Sequence, residues 1–200
     1  MPTSWKRAMT VLIHKKGTRA TGDPSSLCST VAKLYTSCLV ANITNWAVTS
    51  RAVSQSQKGF MSTEGCYKHN FTLQMALDNA WRTRKQCVVA CLDISNAFGC
   101  VPHRHIFSTL HKLGLLDGII DLVQELYHGC TTTVRTTNGQ TTEIPIRSGV
   151  RQGCPLSPII FNLAMELLLR AMAGGPSRLN LYGQKLSILA YTDDLVLLAP

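Results

Sequence analysis

The chain has 200 residues, 45% of them hydrophobic and 16% charged, with a formal net charge of +9. That balance excludes a disordered or fibrous chain and fits one domain with a packed core. No apolar run reaches the roughly 18 residues a bilayer-spanning helix needs, and the N-terminal MPTSWKRAMTVLIHKKG lacks the features of a secretory signal, so an intracellular protein without membrane contact is expected.

In chain order, KKGTRATGDPSS (15–26) reads as a loop. Residues 27–48 place Val31, Leu34, Tyr35, Cys38 and Leu39 on one helical face. A second helix is expected over 66–85, with Leu73, Leu77 and Trp81 at i, i+4 and i+8 and Arg82, Arg84 and Lys85 at the negative end of its dipole. The period then changes: CVVACLDI (87–94) is a short continuous apolar run, the pattern of a strand buried on both faces. Helices closed by Gly114 and Gly129 follow, then a hairpin over 132–146 with Asn138-Gly139 at its turn. Residues 156–175 form a helix with Ser157 as N-cap, Pro158 at its first position and Gly174 near its end. It is apolar nearly all round and therefore buried. LSILAYTDDLVLLA (186–199) reads as two strands meeting at a tight turn. The order is that of an α+β fold, not the regular alternation of a doubly wound sheet.

Eight cysteines, at 28, 38, 66, 87, 91, 100, 130 and 154, form no Cys-x-x-Cys pair. They are expected to be reduced and structural, with Cys87 and Cys91 acting as small hydrophobes. The six histidines show no metal-ligand spacing. Charge is uneven: residues 1–92 hold twelve Lys/Arg against three acids, whereas residues 93–200 hold eight of each. A basic half suggests a polyanionic partner. Asp93 ends the predicted buried strand, and Asp193-Asp194 sit at the tip of the predicted hairpin. If these strands are neighbours, three carboxylates converge where like charges repel. Paired Mg²⁺ ions would neutralise them and could activate a hydroxyl for in-line phosphoryl transfer.

LDISNAF (92–98), GVRQGCPLSPIIFN (149–162) and LAYTDDLVLLA (189–199), in this order, resemble the palm motifs of reverse transcriptases. Their wording is similar to that of non-long-terminal-repeat (LINE-type) retrotransposons, near the site-specific insertion elements. VLIHKKG (11–17) and QKGFMSTEGC (57–66) are similar to the finger segments of the same family. The resemblance implies a right-hand polymerase, with an antiparallel palm sheet packed on helices: a fingers-side basic region over 1–86, a palm core over 87–200, and truncation before the thumb. It implies an RNA-directed DNA polymerase that takes an RNA template, a DNA primer and deoxynucleoside triphosphates, uses two Mg²⁺ ions (with Mn²⁺ as substitute) and works in the nucleus.

By the same resemblance, Asp93 and Asp193 are metal ligands and Asp194 is the second carboxylate of the hairpin. Phe98 is the aromatic that leaves no room for a 2′-hydroxyl. Gln152 and Gly153 lie beside the incoming nucleotide and template base, Arg151 is a candidate phosphate contact, and Lys15 with Lys16 faces template or triphosphate. Tyr191 packs beneath the site. Three positions depart from the family pattern. Asp23-Pro24-Ser25 runs straight into Ser26-Leu27, without the arginine-containing finger segment. Gly99 stands where aspartate is usual, and Thr192 where alanine is usual. The lost arginine and the truncation favour an alternative expectation: an inactive relic that retains only nucleic-acid binding.

Overall fold

The computed structural model describes residues 1–14, 22–62 and 65–200. The elements are α1 (Thr3–Lys6), β1 (Arg7–His14), β2 (Gly22–Cys28), α2 (Thr30–Thr49), α3 (Gly65–Thr83), β3 (Val88–Leu92), α4 (Ala97–Cys100), α5 (His103–Leu113) and α6 (Asp117–Tyr127). Then come β4 (Thr131–Thr136), β5 (Gly139–Gln140), β6 (Ile144–Pro145), α7 (Ser157–Ala173), β7 (Leu179–Leu181), β8 (Gln184–Leu186), β9 (Ile188–Tyr191) and β10 (Asp194–Ala199). The α+β class is as expected. Compactness divides the chain in an interleaved way, into Met1–Trp46 with Phe98–Ile160 and Ala47–Ala97 with Phe161–Pro200. A linear cut between 86 and 87 falls inside the second of these units.

The first unit is built on a sheet in the order β2-β1-β4-β5, with β6 also on β4. β1 runs antiparallel to β2 and parallel to β4. The expected loop over 15–26 is strand from Gly22 onward. Pro24 stands opposite Leu12 on β2, the outer strand of this sheet, where proline is tolerated. A hydroxyl chain crosses the sheet, Ser26 Oγ to Thr10 Oγ1 (3.1 Å) to Thr132 Oγ1 (2.8 Å). α5 and α6 bury Ile106, Leu110, Ile120, Val123 and Leu126. α5 ends as expected at Gly114, in the left-handed conformation. The hairpin turn is Thr137-Asn138 rather than Asn138-Gly139, because Gly139 already pairs with Thr136.

The second unit holds the sheet β3-β10-β9 and the small ribbon β7-β8. Alternation along β10 gives the sheet two faces. Leu195 and Leu197 pack with Leu169, Ile188 and Ala190, while Val196 and Leu198 pack with Leu73, Ala76, Leu179 and Leu189.

Several sequence-based expectations of burial are corrected. The buried residues of α2 are Ala32, Thr36, Ile43 and Ala47, whereas Val31, Leu34 and Cys38 are exposed and Tyr35 and Leu39 half-buried. The helix is apolar on several sides, so periodicity did not single out the buried one. On α3 the buried residues are Gly65, Ala76 and Ala80; Leu73 is half-buried, and Leu77 and Trp81, the latter 87% exposed, face away. There the small residues allow close approach to the sheet. β3 is an edge strand, not one buried on both faces: Cys87 and Val89 meet the core while Val88 and Leu92 are exposed.

α7 is buried over its first ten residues apart from Pro158, as its composition predicts, while Leu168, Arg170 and Ala171 nearer its end are exposed; the Ser157 hydroxyl donates to the Arg151 carbonyl instead of capping. All eight cysteines are free; Cys38, Cys66, Cys91 and Cys100 are exposed, so a structural role fits only the others. Burial pushes the Cys28 and Cys130 thiols up, and Cys130 donates to the Leu126 carbonyl. Among the described residues no helix is long and apolar enough to cross a membrane.

Candidate active site

The three acids singled out by the sequence all belong to the second unit. β3 and β10 are antiparallel, and their last pair toward this end is Leu92↔Leu195. One step further in the same register stand Asp93 and Asp194. On the other side of β10, Asp194 pairs with Tyr191, which leaves Thr192 and Asp193 as a two-residue turn. The register therefore brings Asp93, Asp193 and Asp194 to one end of one sheet, by backbone pairing alone. Asp93 and Asp194 are exposed and Asp193 is half-buried.

Among the described residues, however, no three His, Cys, Asp or Glu side chains are gathered closely enough to hold a metal ion. Adjacent positions in a strand project to opposite faces. Asp194, within β10, falls on the Val196 side, and Asp93 stands opposite it one step beyond the last β3–β10 pair; Asp193 belongs to the turn, where strand alternation does not apply.

The turn itself is unusual. Thr192 has φ of 60° at the first central position of a hairpin turn, where glycine is the ordinary residue, and threonine is β-branched. Such a conformation persists only when its surroundings over-determine it. Here Gln57, 2% exposed, grips both polar backbone atoms of Thr192. Its Oε1 accepts from Thr192 N–H (2.7 Å), and its Nε2 donates to the Thr192 carbonyl (3.0 Å). The same Oε1 accepts from Gly59 N–H (2.8 Å). Sequence reasoning missed Gln57, Gly59 and Asn162, whose Nδ2 donates to the Gly59 carbonyl (2.8 Å). The QKGF stretch marked the place, but nothing local announces a contact 135 residues away.

Phe98, Arg151, Gln152 and Gly153 belong to the first unit. Phe98 is half-buried, and its carbonyl accepts from Val150 N–H (2.7 Å). Gly149, at φ 80°, approaches so closely that a Cβ would lie 2.6 Å from the Phe98 carbonyl oxygen. Gln152 and Gly153 are exposed. Gly153 has φ of 77°, and a Cβ on it would collide with the Ser26 carbonyl, so the backbone it approaches closely is that of β2.

Arg151 is a correction. It is 4% exposed, and its guanidinium donates to the carbonyls of Leu126 (3.0 Å) and Trp5 (2.6 Å), so it braces the interior rather than reaching out to a phosphate. It borders, with Thr10, Ser26, Thr132, Ser148 and Gln152, a cavity of about 160 Å³. Lys15 and Lys16 lie outside the described residues.

The family described as "Reverse transcriptase (RNA-dependent DNA polymerase)" matches residues 13–200. The chain belongs to the reverse transcriptase family. The "Retrovirus-related Pol polyprotein from type-2 retrotransposable element R2DM" of Drosophila melanogaster is 33% identical over 208 residues, covering all of this chain and 19% of that protein. A "Retrovirus-related Pol polyprotein from type-1 retrotransposable element R2" of Popillia japonica is 31% identical over 203 residues, covering 99% of this chain and 28% of that protein. The reverse transcriptase domain is thus of the non-long-terminal-repeat retrotransposon kind that the motifs resemble. It spans 19% and 28% of these two relatives' length.

The solved structure of apo telomerase from Candida Tropicalis, truncated from its C-terminal domain, superposes with a TM-score of 0.67. It does so at 11% identity, over 98% of this chain and 44% of that one. The full apo telomerase of the same organism gives 0.62 at 12% identity, over 98% of this chain and 39% of that one. At such identities the likeness shows the fold alone, the fingers and palm of a polymerase. As a reverse transcriptase, the chain belongs to a family of RNA-directed DNA polymerases.

Proposed function

We propose that this chain adds deoxynucleotides to a DNA 3′-end on an RNA template, by phosphoryl transfer assisted by two divalent cations. The observation that carries the reading is the shared register of β3 and β10, which brings Asp93 and Asp194 to one sheet end with Asp193 in the adjoining turn. The donor set suits Mg²⁺, with Mn²⁺ as substitute. Carboxylate oxygens are hard ligands, and Mg²⁺ takes one or two of them together with water and substrate phosphates, so it needs no preformed three-ligand cage. When bound, the ions would supply charge neutralisation and an activated hydroxyl.

The protein's own part is to hold Asp93, Asp193 and Asp194 in place on a hydrogen-bonded sheet. Phe98 is the sugar-side ring in this reading, selecting deoxynucleotides, and Gln152 with Gly153 forms the nucleotide-side loop. Lys15 keeps its role as a basic finger contact to template or triphosphate. Arg151 acts indirectly, by fixing the segment that carries Gln152. The nucleus is the compartment that a retrotransposon polymerase would need to reach.

The test is single-deoxynucleotide addition to a primed RNA template with Mg²⁺ or Mn²⁺, beside Asp193→Asn and with circular dichroism on both proteins. Incorporation by the unaltered chain, lost in a folded Asp193→Asn, is the expected result. A folded chain that binds the primed template without extending it would sink the catalytic reading. That outcome leaves the binding-only alternative favoured by the missing arginine segment.

A further inference from the structure

The Thr192-Asp193 turn is held from outside the hairpin by one short segment. Gln57 forms a parallel bridge with Ala190; Lys58 N–H donates to the Ala190 carbonyl (2.9 Å), and Ala190 N–H donates to the Ser56 carbonyl (2.9 Å). His69 Nε2 lies 3.0 Å from the Ser56 carbonyl and 3.1 Å from that of Ala190, tying α3 to the same crossing. One residue further, Gly59 lies so close that any Cβ would run into the backbone nitrogen and the hydroxyl of Thr192.

Residues 56–59 thus lie along β9 like one more strand and end on the turn. The contact with the turn is specific to a carboxamide. A glutamate would present no donor to the Thr192 carbonyl, and an asparagine is one methylene short. Thr192 is 6% exposed, so its N–H and carbonyl have little access to water as an alternative partner.

We propose that Gln57 is a positioning residue for the polymerase reaction. Its side-chain amide imposes the left-handed conformation of Thr192 and so fixes where the carboxylates of Asp193 and Asp194 stand. The segment Ser56–Gly59 is a strap on the catalytic hairpin. This rests on the metal-holding reading of the acids given above; the conformational half of the claim does not. The strap also holds a β-branched residue at a place where turn geometry prefers glycine. The grip on both polar backbone atoms supplies what the side chain does not.

The decisive variant is Gln57→Met, which keeps the volume and removes all three hydrogen bonds. Backbone hydrogen exchange at residues 192–194 should accelerate about tenfold or more, the scale expected when a buried donor loses its only partner. Exchange in α7 and in β3 should stay unchanged. Mn²⁺ affinity, read by electron paramagnetic resonance with Mn²⁺ alone, should weaken by a similar factor. Where incorporation is measurable, kcat should fall with the nucleotide KM unmoved.

Adding Thr192→Gly, which adopts a positive φ without strain, should recover part of the Mn²⁺ affinity lost in Gln57→Met. Unchanged exchange at the turn in a folded Gln57→Met would overturn the strap. Faster exchange with Mn²⁺ affinity intact would overturn the positioning role. So would the absence of any rescue by Thr192→Gly; if Gln57→Met alone proves too unstable, Gln57→Glu, which keeps the size and loses only the donor to the Thr192 carbonyl, takes its place in the same comparison. If the unaltered chain binds no Mn²⁺ at all, the metal reading fails instead, and the exchange data alone decide the strap.

Discussion

Replacing Gly153 by alanine separates two costs that are usually confounded. The first is conformational: at φ 77° an L-residue is disfavoured by roughly 1–2 kcal/mol. The second is steric, because the new Cβ would collide with the backbone carbonyl of Ser26, which cannot rotate out of the way as a side chain could. Overpacking of this kind costs about 1–3 kcal/mol, so the total should be about 3 kcal/mol. Gly114 is the reference. Its φ of 82° is nearly the same, but nothing lies within 4 Å of the site a Cβ would take, so Gly114→Ala should cost only about 1 kcal/mol.

The assay is equilibrium urea denaturation. With a slope of about 2 kcal/mol per molar, the midpoint should fall by about 1.5 M for Gly153→Ala and about 0.5 M for Gly114→Ala, with the slope itself unchanged. Equal shifts for the two variants would refute the argument, since they would show that β2 yields to the added methyl at no cost. The outcome also bears on the nucleotide-side loop, because Gln152 is tied to the same strand by the Cys28 thiol donating to its carbonyl (3.6 Å).

Two further outcomes follow from titratable groups in the interior. Glu166 is fully buried; it accepts from Arg170 Nε (2.7 Å) and Ser54 N–H (2.9 Å). Arg170→Met should therefore destabilise by about 2–3 kcal/mol in a thermal or urea melt, below the usual cost of orphaning a fully buried pair because Arg170 itself is half exposed. The double variant with Glu166→Gln should recover part of that loss, and a double variant worse than Arg170→Met alone would contradict the pairing argument.

Burial pushes the His103 imidazole below its ordinary value, against a smaller opposing pull from the Gly149 carbonyl (3.0 Å). A depressed folded-state value means that stability is intact above about pH 6.5 and is lost as the pH falls through the folded value. The urea midpoint of the native chain should therefore drop more than that of His103→Gln between pH 7.5 and 5. Parallel curves for the two proteins would exclude His103 as the source.

What could be read in the sequence was whatever is local in cause. The all-round apolar pattern of residues 157–173 announced a buried helix, and the apolar runs on either side of Thr192-Asp193 announced a hairpin, because periodicity and turn length are properties of neighbouring residues. The family wording located Asp93, Asp193 and Asp194 within one chemistry, and backbone pairing then brought them to one sheet end.

Long-range partners decided most of what was misread. α3 turned Ala76 and Ala80 inward rather than Leu77 and Trp81 because close packing on the sheet outweighed side-chain hydrophobicity. Arg151 looked like a surface cation in a Gly-rich loop, yet it satisfies carbonyls of residues 5 and 126. Gln57 had no local signature at all, since its role depends on a turn far along the chain.

The outer edge of β3 gives the sheet a property of its own in solution. Among the described strands β3 pairs only with β10, so its other row of N–H and carbonyl groups faces outward, beside the exposed side chains of Val88 and Leu92. Natural edges of this kind are usually blunted by charge, proline or a bulge, and VVACL contains no charge and no proline. An extended segment of any chain could add there as a further strand, in a register that ends beside Asp93. Whatever added would be lengthening the same ladder that aligns the acids. The ladder left open along this edge is therefore the same one that brings the three acids together at one sheet end.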